Sequence, residues 1–342
     1  MEYVIIAVCA FILSIIFVPA AIKIAFTFGV MDKPNQGLKR HKKSVPYLGG
    51  IAIFLAFLIP VIAAKFILHQ TFHGVYGIMI GAFIMLVMGF LDDLYNLSAY
   101  LRLGVQFAVA LVLVRVNLHI KFMDNNILNI GLTVLWVIGI TNAMNIIDIM
   151  DGLAGGVAAV AAMAFFIMAA FAGRINDMIP AIALFGAVLG FLIYNKPPAK
   201  IYMGDAGALF LGFMLSSLAL NESYSTINYI AVLAPILILI VPIFDTTLVS
   251  FIRVSKGMLP LHGSNDHLAQ RLVMLGLSKT QTVALLILLS IIMSALAIIS
   301  TRVNFSTALI IYLGAGFFVM FAGFVVGGVD MSKYHKVDQK RK

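Results

Sequence analysis

Charge and cysteine are what this chain has least of. Only 11% of its 342 residues are Asp, Glu, Lys or Arg, against about a quarter in a soluble domain, so the polar surface that such a domain needs is missing. Cys9 is the single cysteine, which excludes an internal disulfide and a thiolate metal cluster. Acids are scarcer than bases, 14 against 23, for a net charge of +9. In a soluble protein that excess would point to nucleic acid, but there is no soluble basic domain here to bind it, and no nucleic-acid partner is expected. Linkers and low-complexity stretches are also absent, so nothing divides the chain.

Apolar residues are what the chain has in plenty: 62% of it is hydrophobic, with a mean hydropathy of +1.07. Runs of roughly 17–25 such residues, enough to cross ~30 Å of hydrocarbon, lie near 3–28, 47–68, 74–91, 102–120, 128–145, 153–172, 178–194, 206–220, 227–250, 281–300 and 307–328. The expected fold is an all-α polytopic membrane protein of about eleven transmembrane helices. Residues 1–330 would form one helical bundle with its active loops in the cytoplasm, and 331–342 a basic cytoplasmic tail. The first run reads as a span rather than a cleaved signal peptide, because no basic residue precedes it and Lys23 lies near its far end.

Orientation follows from lysine and arginine. Lys33, Lys39, Arg40, Lys42 and Lys43 follow the first run, and Lys333, Lys336, Lys340, Arg341 and Lys342 fill the tail. Alternate loops between them hold Arg102, Lys196, Lys200, Arg253, Lys256, Arg271 and Lys279. The opposite loops hold only Lys65, Arg115, Lys121, Arg174 and Arg302. Positive charge gathers on the cytoplasmic side. The N-terminus is therefore expected outside and the C-terminus in the cytoplasm.

The carboxylates then sort by side, although they played no part in setting it. Asp124, Asp177 and Glu222 sit one to an outer loop, while Asp92, Asp93, Asp148, Asp151, Asp205, Asp245 and Asp266 all fall toward the inner face. Acids near a membrane are expensive and mark function by default. Asp92 and Asp93 put adjacent like charges at a helix end, a repulsion that a hard cation or a proton relieves; a solvated helix end is the plainer account. If Asn142-Ala143-Met144-Asn145 through Asp148-Ile149-Met150-Asp151 is helical, Asn145, Asp148 and Asp151 form one polar stripe. The alternative is that Asp151 caps the next span. Met203-Gly204-Asp205-Ala206-Gly207 opens a span whose free N–H groups suit a phosphate, or Asp205 simply caps it. His267 alone in a loop carries little weight. The basic stretch 38–46 either sets topology or holds an anionic lipid headgroup.

An acid-rich site with a basic rim at a membrane face suits phosphoryl transfer, which needs mainly positioning and charge neutralisation. Its acceptor should be lipidic, since a soluble one would not require so many spans. The ordered motifs Pro46-Tyr47-Leu48-Gly49-Gly50, Asp92-Asp93, Asn142 to Ala154, Met203 to Gly207, Val241-Pro242-Ile243-Phe244-Asp245-Thr246 and the His267 loop resemble the polyprenyl-phosphate N-acetylhexosamine-1-phosphate transferases. The likeness runs from about Lys43 to Arg271. It implies transfer of a sugar 1-phosphate from a UDP-sugar to undecaprenyl phosphate with release of UMP. Magnesium would serve as cofactor, with manganese able to substitute, at a bacterial inner membrane and its cytoplasmic face. Membrane lipids would surround the enzyme, and a homodimer is allowed for.

The resemblance, joined to charge logic, implies roles for individual residues. Asp205 would be the leading magnesium ligand, with Asp92 beside it. Asp92 would accept or orient the lipid phosphate proton, assisted by Asp93, and His267 would complete the catalytic set. Asn145, Asp148, Asp151, Tyr202, Arg253 and Arg271 would bind nucleotide or sugar, with Tyr202 stacked on uracil. Lys43 and Asn142 would hold the lipid phosphate.

The chain resembles the UDP-N-acetylglucosamine branch more than the muramoyl-pentapeptide one. It departs from that branch where His-x-His-His is usual and His267-Leu268-Ala269-Gln270 stands instead, which bears on sugar choice more than on phosphoryl transfer. An ion-coupled transporter would instead place acids at midplane and show broken inverted repeats. A lipid-binding scaffold would have no use for the Asp and Asn stripes.

Overall fold

A computed structural model of the chain describes residues 1–32, 44–67, 75–121, 123–220, 227–255, 257, 266–331 and 334. The apolar runs fold as helices, which satisfy their backbone groups internally as a membrane requires. In chain order these are α1 Glu2–Phe28, α2 Gly49–Ile67, α3 Val75–Tyr95, α4 Ala99–Arg115, α5 Asn126–Ile147, α6 Leu153–Phe171, α7 Ile175–Asn195 and α8 Gly204–Leu218. After them come α9 Ala234–Ile238, α10 Ile240–Ser255, α11 Leu268–Met274, α12 Lys279–Ser300 and α13 Phe305–Gly327. Short polar residues start several of them, as capping chemistry dictates. Ser98 caps α4, Asn125 caps α5, Asn304 caps α13, and Ser278 with Gln281 forms a capping box on α12. Two-residue strands, β1 Met31–Asp32 and β2 Val45–Pro46, pair antiparallel between α1 and α2.

Eight of these helices are long and apolar enough to cross a membrane, nine if one bent pair counts as a span. This is a multi-pass, all-α membrane protein. The runs over α4 and α8 give 17 and 15 helical residues, about 26 and 23 Å at 1.5 Å per residue, less than the ~30 Å core. The single span expected over 227–250 is that bent pair: Tyr229–Ile238 meets Ile240–Ser255 at 75°. Pro242 supplies the reason, since it lacks the N–H that would bond back to Ile238 and continue one helix through the break.

The short helix α8 is the axis of the bundle. Its residues from Ala206 to Leu218 are all buried, packed by α2, α3, α5 and α6, with Phe210 edge-on to Phe54 at 5.4 Å. The last helix lies at the periphery, where only Ala308, Ala315 and Val326 of α13 are buried. Contacts also respect the alternation of loops read from lysine and arginine. Gly49 and Tyr202 bond at one end of the bundle; at the other, Asn228 Nδ2 donates to the carbonyls of Ser300 and Val303.

Candidate active site

Three of the motif segments form one seam. The N–H groups of Gly49 and Gly50 donate to the carbonyls of Tyr202 and Met203, and Tyr202 N–H donates to Pro46 O. This laces the start of α2 to the segment before α8. The contact has no room for a side chain, because a Cβ on Gly50 would lie 2.2 Å from the Gly207 nitrogen. Gly204 turns the chain into α8 at φ +69°, a conformation open to glycine at little cost.

The end of α3 completes the seam and changes how α8 starts. The Asp93 carboxylate accepts the N–H of Asp205 at 2.9 Å and of Ala206 at 3.1 Å. Two of the N–H groups expected to be free for a phosphate are therefore taken, and what caps them is not Asp205 but a carboxylate from another helix. Tyr47 Oη donates to the Asp93 carbonyl at 3.3 Å. Asp205 stays half-buried, and the Asp205 and Asp92 carboxylates both act on Asp93 through space.

Asp92 is more enclosed, at 4% exposed. One of its oxygens accepts Leu97 N–H at 2.7 Å, and the other pairs with Arg102 Nη1 at 2.7 Å. Asn96, at φ 50°, makes the turn that brings Leu97 back. Asp92 thereby ties α3 to α4.

The second acidic motif departs from the expected stripe. Helix α5 ends at Ile147, with Asp148 at its C-cap, and Gly152 at φ 79° opens α6. Asp151 therefore leaves the face that Asn145 occupies. It does not cap α6 either: it accepts Ala199 N–H at 2.9 Å. Beside it, Asn195 Oδ1 accepts Gly152 N–H and Asn195 Nδ2 donates to Ile201 O, each at 2.9 Å. These bonds fasten the 148–152 turn to the 196–203 segment that carries Tyr202. Asn142 is bonded to Gln106 of α4, its Nδ2 donating to Gln106 Oε1 at 2.7 Å and to Ile138 O at 2.8 Å.

The third cluster surrounds α11. His267 Nδ1 lies 3.0 Å from Asp245 Oδ2, and Asp245 Oδ1 accepts Leu268 N–H. Gln270 Oε1 accepts the N–H of His267 at 3.3 Å. Arg271, 2% exposed, donates from Nε to Asp266 O at 2.8 Å and from Nη2 to Asp266 Oδ1 at 3.3 Å. Its Nη1 faces the carbonyls of Val326, Gly327 and Val329 at 3.1–3.2 Å. Burial draws this guanidinium below its ordinary range, while Asp266 and then Asp245 oppose the shift. Arg253 is buried too, within electrostatic reach of the same two acids. Lys43 lies outside the described residues.

Set beside known proteins, the chain is 35% identical over 305 residues to a Bacillus subtilis protein named a probable undecaprenyl-phosphate N-acetylglucosaminyl 1-phosphate transferase, covering 85% of this chain and 84% of the relative. The glycosyl transferase family 4 model matches residues 75–222. The chain belongs to glycosyl transferase family 4. It is also similar to the undecaprenyl-phosphate α-N-acetylglucosaminyl 1-phosphate transferase of Salmonella typhimurium, at 26% identity over 311 residues, 86% of this chain and 83% of that one. A Streptococcus mutans phospho-N-acetylmuramoyl-pentapeptide-transferase is 29% identical over a shorter 245 residues, 63% of this chain and 70% of that one.

The stretch matched by the family model contains the Asp93–Asp205 contact, begins after the 46–50 part of the seam and stops short of Asp245 and His267. Within it lie two residues that sequence reasoning passed over. Asn195 and Gln106, 3% and 1% exposed, are amides in otherwise apolar helices. That setting was the available signal, because a buried amide needs partners. Among the described residues no three His, Cys, Asp or Glu side chains gather as a ready metal cage. A pair of hard carboxylates still fits magnesium, which commonly takes one or two from the protein and the rest from water and substrate phosphates.

Proposed function

We propose that this family 4 member transfers a sugar 1-phosphate, N-acetylglucosamine 1-phosphate in the first instance, from a UDP-sugar to undecaprenyl phosphate. A lipid-phosphate oxygen would bond to the β-phosphorus, the bridging P–O bond would break, and UMP would leave. The observation that carries this reading is the acidic pair Asp93 and Asp205 at the N-terminus of the central helix, in a seam made of three motif segments. Names borne by the relatives supply the lipid and the sugar. The longer match to the N-acetylglucosaminyl enzymes favours that sugar over the muramoyl-pentapeptide one.

Asp205, with Asp93, would hold magnesium, or manganese in its place. When bound, the cation neutralises charge on the diphosphate. Asp93 also fixes the first turn of α8 and so holds Asp205 in place. Asp92, its oxygens already given to Leu97 and Arg102, is best suited to keep α4 against α3. The lipid phosphate needs little base, since a phosphate monoester is mostly ionised above its second pKa of about 6. Tyr202 would stack on uracil, with Asn145, Asp148 and Asp151 along the nucleotide. Asn195 keeps those two segments in register. Lys43 and Arg253 would offset phosphate charge, and His267 would meet the diphosphate. The site would face the cytoplasm of a bacterial inner membrane, where UDP-sugars are found.

The test is transfer by the purified protein. Undecaprenyl phosphate and magnesium are supplied with labelled UDP-N-acetylglucosamine, its galacto epimer or UDP-MurNAc-pentapeptide. Lipid-extractable label with UMP release, abolished by EDTA, is the expected result. No labelled lipid from any of the three donors would sink the reading.

A further inference from the structure

Asp245 stands just past the bend, in the second turn of α10, and is 3% exposed. A carboxylate so enclosed needs hydrogen-bond donors, and among the described residues two come from one turn of chain. Its Oδ1 accepts the backbone N–H of Leu268, and its Oδ2 faces His267 Nδ1 at 3.0 Å. One bond sets where the α11 start lies and the other sets how the imidazole is rotated. A carboxylate offers only acceptors, so Nδ1 must supply the proton between them. Nε2 is then the nitrogen left to meet a substrate, and it can hydrogen-bond an anionic oxygen only when it too carries a proton.

We propose that Asp245 is the positioning residue for His267, holding the imidazole with Nδ1 inward and presenting Nε2 to the diphosphate of the UDP-sugar. This rests on the transferase reading above. The competing account is that Asp245 serves only to cap α11 through Leu268. Asp245→Asn separates the two, because Asn keeps an acceptor oxygen and the side-chain volume but no longer dictates the tautomer.

Steady-state kinetics on Asp245→Asn, His267→Ala and the double variant test the coupling, with thermal melting as a control. Asp245→Asn is expected to lower kcat about 10–100-fold, the scale of a hydrogen bond to a charged group, with KM for the UDP-sugar within about threefold. In the His267→Ala background the same change should matter less than about twofold, because coupled residues are not additive. Equal losses in both backgrounds would leave Asp245 a cap and overturn the proposal. A second measurement needs neither activity nor a stable variant: imidazole ¹⁵N spectra of the parent, which has seven histidines, with His267 assigned by its loss in His267→Ala. A proton on Nδ1 is expected, and a proton on Nε2 alone would overturn the proposal. A parent that makes no labelled lipid would bring down the transferase reading instead, while the spectra still decide the tautomer.

Discussion

Half-buried Asp93 and buried Arg271 each cap a helix end, and they end up in opposite situations. Asp93 meets the N-terminus of α8 and Arg271 the C-terminus of α13, so each has the sign that its helix dipole favours. Arg271 is sealed, its nitrogens directed at one carboxylate and four carbonyls. Asp93 caps two N–H groups yet stands beside Asp205 and Asp92, leaving negative charge that its own partners do not neutralise. A charge matched by its neighbours holds the fold together. A surplus at a half-buried edge is what a cation and a phosphate can use.

Asp205→Asn should break that surplus most sharply. The substitution keeps size and polarity but removes a hard anionic ligand, and we expect turnover to fall by at least about 10²–10³-fold, with melting unchanged. Activity near the parent's at saturating magnesium would make Asp205 a bystander and Asp93 a cap like any other.

Next comes Arg271→Met, which acts on the sealed partner in the comparison. It leaves the Asp266 carboxylate and the end of α13 without their cation, and breaking a buried pair from one side costs about 3–5 kcal/mol. Thermal or denaturant unfolding in detergent should show most of that loss. In whatever protein remains folded, KM for the UDP-sugar should stay within about threefold. A KM raised tenfold or more with unaltered melting would return Arg271 to the substrate.

The two caps also differ in how visible they were from sequence. Helices were legible because runs of roughly 20 apolar residues admit few other structures in lipid. The acidic seam was legible in part, since Asp92-Asp93 and Asp205 are charges at the ends of such runs. That Asp93 caps α8 was not, because the bond joins residues 112 apart and no local pattern reports it. For the same reason Arg271, a cation in a loop with histidine and aspartate, read as a nucleotide or sugar ligand. Three of its four carbonyl partners lie 55 to 58 residues away. The bend at Pro242 was legible only in part, because Pro19, Pro60 and Pro180 lie inside α1, α2 and α7 without ending them.

A smaller effect is expected at Asp93 itself. Asp93→Ala strips the cap from α8 and should destabilise the protein by about 1–2 kcal/mol. Asp93→Asn should recover most of that stability, since one amide oxygen still accepts from the helix start. Both should lose turnover, and that separation of stability from activity is what the surplus-charge view requires. Equal melting of the two variants would mean that the cap adds nothing.

The smallest effect belongs to Gln270, where sequence and structure suggest different roles. By resemblance this position belongs to a histidine-rich motif tied to sugar choice. In the folded chain Gln270 is 9% exposed, and its Oε1 accepts the His267 N–H at 3.3 Å, a long neutral bond at the start of α11. Losing such a bond costs about 0.5–1.5 kcal/mol, and an imidazole at the same place can still offer an acceptor nitrogen. Gln270→His should therefore melt within a few degrees of the parent. It should keep kcat/KM within about threefold for UDP-N-acetylglucosamine and leave the ratio to the galacto epimer unchanged. Measuring both sugars matters, because a loop loosened around His267 would lower both rates together, whereas a residue reading the sugar would move one alone. A changed ratio at equal stability would make Gln270 a specificity residue, and would place a sugar contact on α11 next to the sealed Arg271.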